Sequence, residues 1–241
     1  MNAVNRELRV PEPAHFPCTR GLLCLDEAVP LRRSARDLML LSLTGASGAG
    51  KSTTLAHLTA TDWEQPVTCV EFDSVGVPPD ADTAWRHAVI EQWVQRALAA
   101  QDEGSHVLLC GQVPVGELLA APSADRLDGI AACVLHCSPE VRRARLMERG
   151  EPEDSLEHHV AFGEWSHGHA VDPTFHPEVI RVESSVPMRW ERWDEWRSGD
   201  PRWPAHVVDT DGSTPEQVAQ QVVAWARDVI ALGALRLPTE R

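Results

Sequence analysis

The sequence predicts an α/β fold: a five-stranded parallel sheet with helices on both faces and a helical lid insertion. Five short apolar segments of strand length lie along the chain, and segments with helical periodicity or helix-cap signatures separate them. The first apolar segment ends at a glycine-rich turn. Such alternation implies right-handed crossovers, with ligands at the carboxyl ends of the strands. The 241 residues, 43% of them hydrophobic, suffice for one well-buried domain.

The elements of the first half follow from their apolar patterns. Residues 38–44 (LMLLSLT) form a continuous apolar run, which is typical of a strand buried on both faces of a parallel sheet. Trp85, Val89 and Trp93 recur at helical spacing, and Asp82 can cap their helix. In order, we expect a strand at 38–44, a helix at 50–60, a strand at 67–72, a helix at 82–100, a strand at 106–110 and a short helix at 115–119.

The second half is predicted mainly from helix-cap signatures. Ser138 followed by Pro139 opens one helix, and Thr214 with Gln217 forms a capping box that opens another. The expected elements are a strand at 130–137, a helix that starts at Ser138, a strand at 206–209 and a helix from Thr214 to about Leu232.

Two segments depart from this alternation. Residues 151–204 are rich in His, Trp and Pro and lack a clear strand, so we expect an inserted lid over the site. Residues 1–37 show no sustained periodicity. We therefore expect a loosely ordered N-terminal extension before a domain that spans residues 38–241.

Composition narrows the classes of partner and location. A formal net charge of −14 would repel a nucleic-acid backbone, which makes polymeric nucleic acid an unfavourable partner. No apolar run is long enough to span a membrane and no signal peptide is evident, so we expect a cytoplasmic protein. The six cysteines are scattered, without the spacing of a disulfide framework or a zinc site.

The glycine-rich turn after the first strand matches the Walker A motif, or P-loop, G-x-x-x-x-G-K-[ST]. Its glycines allow backbone N–H groups to converge on phosphate oxygens at a helix N-terminus, where the helix dipole also favours an anion. Lys51, the only lysine in the chain, would reach the β- and γ-phosphates, and the Ser52 hydroxyl would bind Mg²⁺. We therefore expect ATP and Mg²⁺ to bind at Gly45, Ala46, Ser47, Gly48, Ala49, Gly50, Lys51, Ser52 and Thr53.

Acidic residues at the end of the second strand are candidates for catalysis. Asp73 would lie at the carboxyl edge of the sheet beside the P-loop, where it could activate a hydroxyl group and hold Mg²⁺ through a water molecule. A turn-forming aspartate that binds its own backbone is the alternative. Glu71 would point to the opposite side of a regular strand and is a weaker candidate.

Four segments carry a family resemblance: LTGASGAGKSTTL, VEFDS after the second strand, LHCSPEVRRARLMERG and VVDTDGSTPEQV. Over residues 38–232 their order resembles the P-loop kinases of the gluconate, shikimate and adenylate kinase type, including bacterial "AAA family ATPase" and zeta-toxin-like relatives. Only the first segment is specific to P-loop proteins. The resemblance implies a P-loop NTPase sheet of five strands with a mobile lid, ATP as donor, and adenine against residues 209–213.

The helix after the fourth strand carries an arginine stripe. Arg142, Arg145 and Arg149 share one helix face, while Ala144 and Met147 would lie on the packed side. The resemblance implies that such arginines belong to the lid and close on the transferring phosphate. We expect Arg142 and Arg145 to act in catalysis and Arg149 in nucleotide binding. A solvated basic face with surface ion pairs is the alternative.

Candidates for the acceptor pocket lie early in the second helix and after the third strand. Trp85, Arg86 and Gln112 would bind the acceptor together with Asp73, although Gln112 could equally cap its strand. The third strand ends in Cys110 without the acidic residue of a Walker B strand. This departure counts against a motor ATPase and is compatible with transfer to a hydroxyl group.

Aromatic and histidine residues concentrate in the insertion. Trp190, Trp193 and Trp196 recur every three residues and would form an aromatic ridge on a helix, which we expect to pack on the core rather than bind a sugar or base ring. His167 and His169 could chelate a metal, but no cysteine is near them. We do not expect a structural metal.

These observations predict an ATP-dependent kinase that transfers the γ-phosphate to a hydroxyl group of a small molecule. The alternatives are an ATP-binding regulatory protein with little turnover, a nucleoside monophosphate kinase and a nucleic-acid end kinase. A nucleoside monophosphate would need a second phosphate site, for which Arg86 and Arg126 are the obvious candidates. We expect a monomer or homodimer, and no motif encodes the acceptor.

Overall fold

A computed structural model describes residues 37–238, so the predicted N-terminal extension lies outside the described residues except for Asp37. The strands are β1 (Met39–Thr44), β2 (Val67–Glu71), β3 (His106–Cys110), β4 (Gly129–His136) and β5 (Ala205–Asp209). The α-helices are α1 (Lys51–Thr59), α2 (Thr83–Asp102), α3 (Val115–Ala120), α4 (Pro139–Glu148), α5 (Glu153–Val171) and α6 (Pro215–Leu232). Short 3-10 turns occupy Phe72–Val75, Ala124–Arg126, Pro177–Val179 and Trp190–Arg192.

The strands form one parallel sheet in the order β2-β3-β1-β4-β5. At its centre, Leu41 of β1 lies opposite Leu108 of β3 and Ala131 of β4. Every residue of β1 and β3 is buried, as expected for strands that helices cover on both faces. The predicted α/β class with a five-stranded parallel sheet is therefore confirmed.

The two faces of the sheet pack against different helices because side chains alternate along each strand. Leu41 joins an apolar cluster with Leu58 of α1 and Val222 of α6. Leu40 points to the other face and joins Ile90 of α2 in a cluster that also includes residues of α3 and α5. The carboxyl end of β1 therefore emerges between two packed layers, which hold the following loop in place.

The tryptophans of the insertion pack on the core but do not form a helical ridge. Only Trp190–Arg192 adopts a 3-10 turn. Trp193 and Trp196 are buried, and their rings approach the ring of Trp203 edge-on, with centroids 5.7 and 6.4 Å apart. The expected packing is confirmed, whereas the expected helix is wrong because the chain turns after Trp190 to bring the next two rings onto Trp203.

Candidate active site

The P-loop forms the turn between β1 and α1, and its glycines adopt backbone angles that other residues rarely adopt. The φ angles of Gly45, Gly48 and Gly50 are 138°, 81° and 95°. A Cβ on Gly45 would lie 2.4 Å from the carbonyl oxygen of Leu135 in β4. The loop can therefore pass close to the sheet only with glycine at this position.

Lys51 begins α1 and folds back over the loop. Its Nζ donates a hydrogen bond to the carbonyl oxygen of Ala46, 3.1 Å away. Burial, with a further contribution from the nearby Arg142, lowers the pKa of Lys51 to about 8. An anion bound in the loop would favour the charged form of this lysine and so raise its pKa.

A cavity of about 660 Å³ opens in front of the loop. The carboxyl ends of β2, β3 and β5 and one side of α4 complete its wall, as expected for a ligand site in a parallel sheet. Of the predicted nucleotide-binding residues, Gly45 and Ala46 are buried behind the loop and do not line the cavity. The lining comprises Ser47, Gly48, Ala49, Gly50, Lys51, Ser52, Thr53, Thr54, Glu71, Asp73, Cys110, Gly111, Gln112, Arg145, Arg149, Thr210, Ser213, Pro215 and Val218.

Both acidic residues at the end of β2 line this cavity. The strand ends at Glu71, two residues before Asp73 in the 3-10 turn that follows. The expectation that Glu71 points to the opposite side is wrong, because residues two apart along a strand share one face. Asp73 lies in the turn itself, is exposed, and lines the cavity as predicted from its position.

Arg142 lies behind the P-loop instead of in the cavity. It is only 2% exposed, and its guanidinium donates hydrogen bonds to the carbonyl oxygens of Ser47 and Cys137. On the other side of α4, Ala144 and Met147 are exposed, so the helix is rotated relative to the expected packing. Arginine can face the interior here because main-chain carbonyl groups accept hydrogen bonds from its donors. The solvated-face alternative does not hold for Arg142.

Arg145 and Arg149 are the arginines of the stripe that line the P-loop cavity. Arg145 donates hydrogen bonds to the carbonyl oxygen of Gly48 at 3.2 Å and to Thr210, at 2.9 Å to Oγ1 and 3.0 Å to the carbonyl oxygen. Arg149 follows the last residue of α4 and forms an exposed ion pair with Glu151. Sequence patterns did not indicate that Thr210 binds Arg145, because the contact forms only when the end of β5 lies beside α4 in the folded protein.

A second cavity of about 340 Å³ adjoins the first at the end of β2. Asp73 and Gln112 line both cavities, so the two spaces meet at these residues. The structure thereby brings together the four residues predicted for the acceptor pocket. The lining of the second cavity comprises Phe72, Asp73, Ala81, Asp82, Thr83, Trp85, Arg86 and Gln112.

Arg86 is held by Glu117, a residue that sequence patterns did not single out. Glu117 of α3 is fully buried, and its carboxylate accepts hydrogen bonds from Nε and Nη2 of Arg86 at 2.7 and 2.6 Å. The position of Glu117 in a short helix that is otherwise apolar, VGELLA, could have indicated that this carboxylate is buried and needs a partner. A buried carboxylate requires such a partner.

The insertion contributes no described residue to the lining of the P-loop cavity. Its helix α5 packs on α4, with Gly163 against the guanidinium of Arg142. A lid function for residues 151–204 stays a prediction.

Within residues 37–238, no group of three or more His, Cys, Asp or Glu side chains could hold a metal ion. In the same part of the chain, no helix is long and apolar enough to cross a membrane.

The sheet order and the glycine-rich turn between β1 and α1 define the class of the protein as an α/β protein with the fold of P-loop proteins. No protein-family model matches the chain, and no curated protein matches it.

Solved structures with a similar fold include several kinases. An unliganded sugar kinase from Janibacter sp. HTCC2649 is 16% identical, with a TM-score of 0.49 over 82% of this chain and 99% of that one. The tunicamycin resistance protein of Deinococcus radiodurans is 16% identical, with a TM-score of 0.48 over 79% and 96%. The APS kinase of Mycobacterium tuberculosis, in complex with AMPPNP and APS, is 19% identical, with a TM-score of 0.46 over 80% and 98%.

Proposed function

We propose that the protein is an ATP-dependent kinase that transfers the γ-phosphate of ATP to a hydroxyl group of a small molecule. The observation that carries this proposal is the meeting of the two cavities at Asp73 and Gln112. A triphosphate in the P-loop cavity would direct its terminal phosphate toward a hydroxyl group held in the second cavity. Phosphoryl transfer depends mainly on bringing the terminal phosphate and the acceptor hydroxyl group together, and less on covalent chemistry by the protein.

The P-loop cavity fits a nucleotide. Glycine at the positive-φ positions leaves room for phosphate oxygens against the backbone N–H groups at the start of α1. Lys51 would place its charge on the β- and γ-phosphates, and Arg145 of α4 and Arg149, just after that helix, would face them. Thr210 and Ser213, within the loop expected to contact adenine, line the far side of the same cavity.

Ser52 and Asp73 would hold Mg²⁺, the first through its hydroxyl and the second directly or through water. Mg²⁺ held there would supply positive charge to offset the negative charge that develops on the transferring phosphate. The Asp73 carboxylate would also accept the proton of the attacking hydroxyl or orient it. Gln112, which lines both cavities, would donate a hydrogen bond to the acceptor.

The acidic residues in the site favour a hydroxyl acceptor over water. Glu71 ends β2 and Asp73 lies in the turn that follows it, whereas β3 ends in Cys110 without a Walker B carboxylate. ATPases of the motor type need that carboxylate to hold Mg²⁺ and polarise water. An expected cytoplasmic location fits ATP as donor and stays a prediction.

The alternative functions receive less support. A regulatory protein that presents its tryptophans to a partner would need them exposed, but Trp193 and Trp196 are buried. Arg126, one of two candidates for a second phosphate site, lines neither cavity. A nucleic-acid end kinase remains disfavoured by the net charge of −14.

The test is an ATP-consumption screen with Mg²⁺ and pooled sugars, nucleosides and hydroxylated antibiotics. Lys51→Ala supplies the blank because it removes the phosphate-binding ammonium group. We expect ADP and a phosphorylated product with at least one pool. Nucleotide consumption that is equal in the two proteins for every pool would contradict the proposal.

A further inference from the structure

The charges around the second cavity indicate the class of acceptor. Among the described residues that line this cavity, Arg86 is the only basic one. Two of its donors are bound to the fully buried carboxylate of Glu117, at 2.6 and 2.7 Å. Opposite charges at this distance in a poorly solvated position cancel most of each other's field. Arg86 therefore offers the cavity hydrogen-bond donors but little net positive charge.

The other charged residues that line the cavity are acidic. Asp73 and Asp82 are both exposed toward it. Asp82 also caps α2, where its carboxylate accepts a hydrogen bond from the backbone N–H of Trp85 at 2.8 Å. This cap offsets the positive end of the α2 dipole, which would otherwise attract an anion. The cavity consequently presents a negative field to its contents.

One wall of the cavity is aromatic. Trp85 is half-buried and meets Phe72 edge-on, with ring centroids 6.0 Å apart. The indole face of such a pair binds a ring or a hydrocarbon surface and attracts positive charge through its π-electrons.

We propose, resting on the kinase function above, that the acceptor is a hydroxyl compound without phosphate or carboxylate groups, and that an amine-bearing compound is preferred. Its apolar face packs against Trp85, and its amino group lies near Asp82. Glu117 is a positioning residue that acts through Arg86. By neutralising Arg86, it excludes nucleoside monophosphates and sugar acids from the acceptor cavity.

The test uses three pools of acceptors with matched carbon skeletons: neutral sugars and nucleosides, their amino derivatives, and their carboxylate or monophosphate derivatives. We expect kcat/KM for neutral and amino members to exceed that for the anionic counterparts by at least about 100-fold. Turnover confined to the anionic pool would leave the kinase function intact and overturn the acceptor class. Absence of turnover in all pools, with Lys51→Ala as blank, would remove the kinase function and the acceptor class with it.

Two variants test the origin of this selectivity. Glu117→Gln keeps the shape of the side chain and leaves Arg86 without a counter-charge, so discrimination against the anionic pool should fall by about 10-fold or more. Where Glu117→Gln does not fold, Asp82→Asn serves, because asparagine caps a helix as well as aspartate does. Asp82→Asn should lower the ratio of kcat/KM for amino members to kcat/KM for neutral members by about 3- to 10-fold. Unchanged ratios in the folded variants would overturn the proposal.

Discussion

The guanidinium of Arg142 donates a hydrogen bond to the carbonyl oxygen of Ser47, a P-loop residue 95 positions earlier in the chain. A second nitrogen of the same group donates to the carbonyl oxygen of Cys137 at 3.3 Å. One buried side chain thus connects the P-loop to the end of β4. We infer that Arg142 shapes the loop and does not contact the transferring phosphate.

Arg142→Met should weaken ATP binding by at least about 10-fold, because the loss of even one hydrogen bond to a charged donor costs roughly 1.5–3 kcal/mol and the carbonyl group of the P-loop loses its partner. Arg142→Lys should not restore binding, since one ammonium group cannot reproduce the planar fork that reaches two segments. Calorimetric titration with ATP measures both. The control is Arg143→Met, on the same helix, whose partner is the exposed Glu157. Equal affinities for Arg142→Met and Arg143→Met would contradict the role of Arg142.

Gly163→Ala should also weaken ATP binding, through Arg142. A Cβ at Gly163 would lie 2.4 Å from Nε of Arg142, so the guanidinium must shift away from the P-loop carbonyl. Gly168→Ala on the same helix is the matched control, because its Cβ would meet the ring of the partly exposed Phe175 at 2.4 Å. Both variants should have lower melting temperatures. A fall in ATP affinity that is shared by both would argue against transmission through Arg142.

The strands and most helices could be predicted because each carries a local signal. β1 and β3 are continuous apolar runs, and α6 opens with the capping box of Thr214 and Gln217. A helical insertion was predicted, but the bounds of helix α5 within it were not, because its buried face mixes Leu156 and Val160 with Gly163 and His169. Glycine and histidine lower helix propensity and obscure the apolar period.

The site was predictable where a motif or a strand end places the residue, as for Lys51 and Asp73. It was not predictable where burial depends on distant partners. Arg142 is buried because carbonyl groups of Ser47 and Cys137 accept its hydrogen bonds, and Glu117 because Arg86 reaches it across 31 residues. Charged residues usually lie on the protein surface, so the sequence alone does not predict that these two are buried. Hydrogen bonds to buried partners make their burial possible.

The affinity for ATP should fall as pH rises above about 8, since burial lowers the pKa of Lys51 to about 8 in the free protein. Bound phosphates favour the charged lysine, so binding above this pH requires uptake of a proton and weakens by up to about tenfold per pH unit. Titrations at neutral pH and one unit above the pKa, in buffers of different ionisation enthalpy, measure the affinity and the proton uptake. Lys51→Met should bind more weakly and without this pH dependence. A wild-type affinity that is constant across the range would contradict the prediction.

The free energy of unfolding should fall as pH is lowered from about 6.5 to about 4. Burial lowers the pKa of His169 from 6.5 to about 4, so the unfolded chain binds a proton in this range that the folded chain does not. The difference corresponds to a loss of about 3 kcal/mol. Urea unfolding across this range should show a shallower pH dependence for His169→Gln than for the wild type. The exposed His158→Gln is the control and should keep the wild-type slope.

We propose that the nucleotide in the P-loop is a phosphate donor and that Asp73, at the meeting point of the two cavities, serves the acceptor. The most direct measurement compares wild type and Asp73→Asn for ATP affinity and for transfer of a labelled γ-phosphate to an acceptor from the pools. We expect Asp73→Asn to have an ATP affinity within about threefold of wild type and a transfer rate reduced by at least about 100-fold. Undiminished transfer by Asp73→Asn, or a wild-type protein that binds ATP and labels no acceptor, would contradict it.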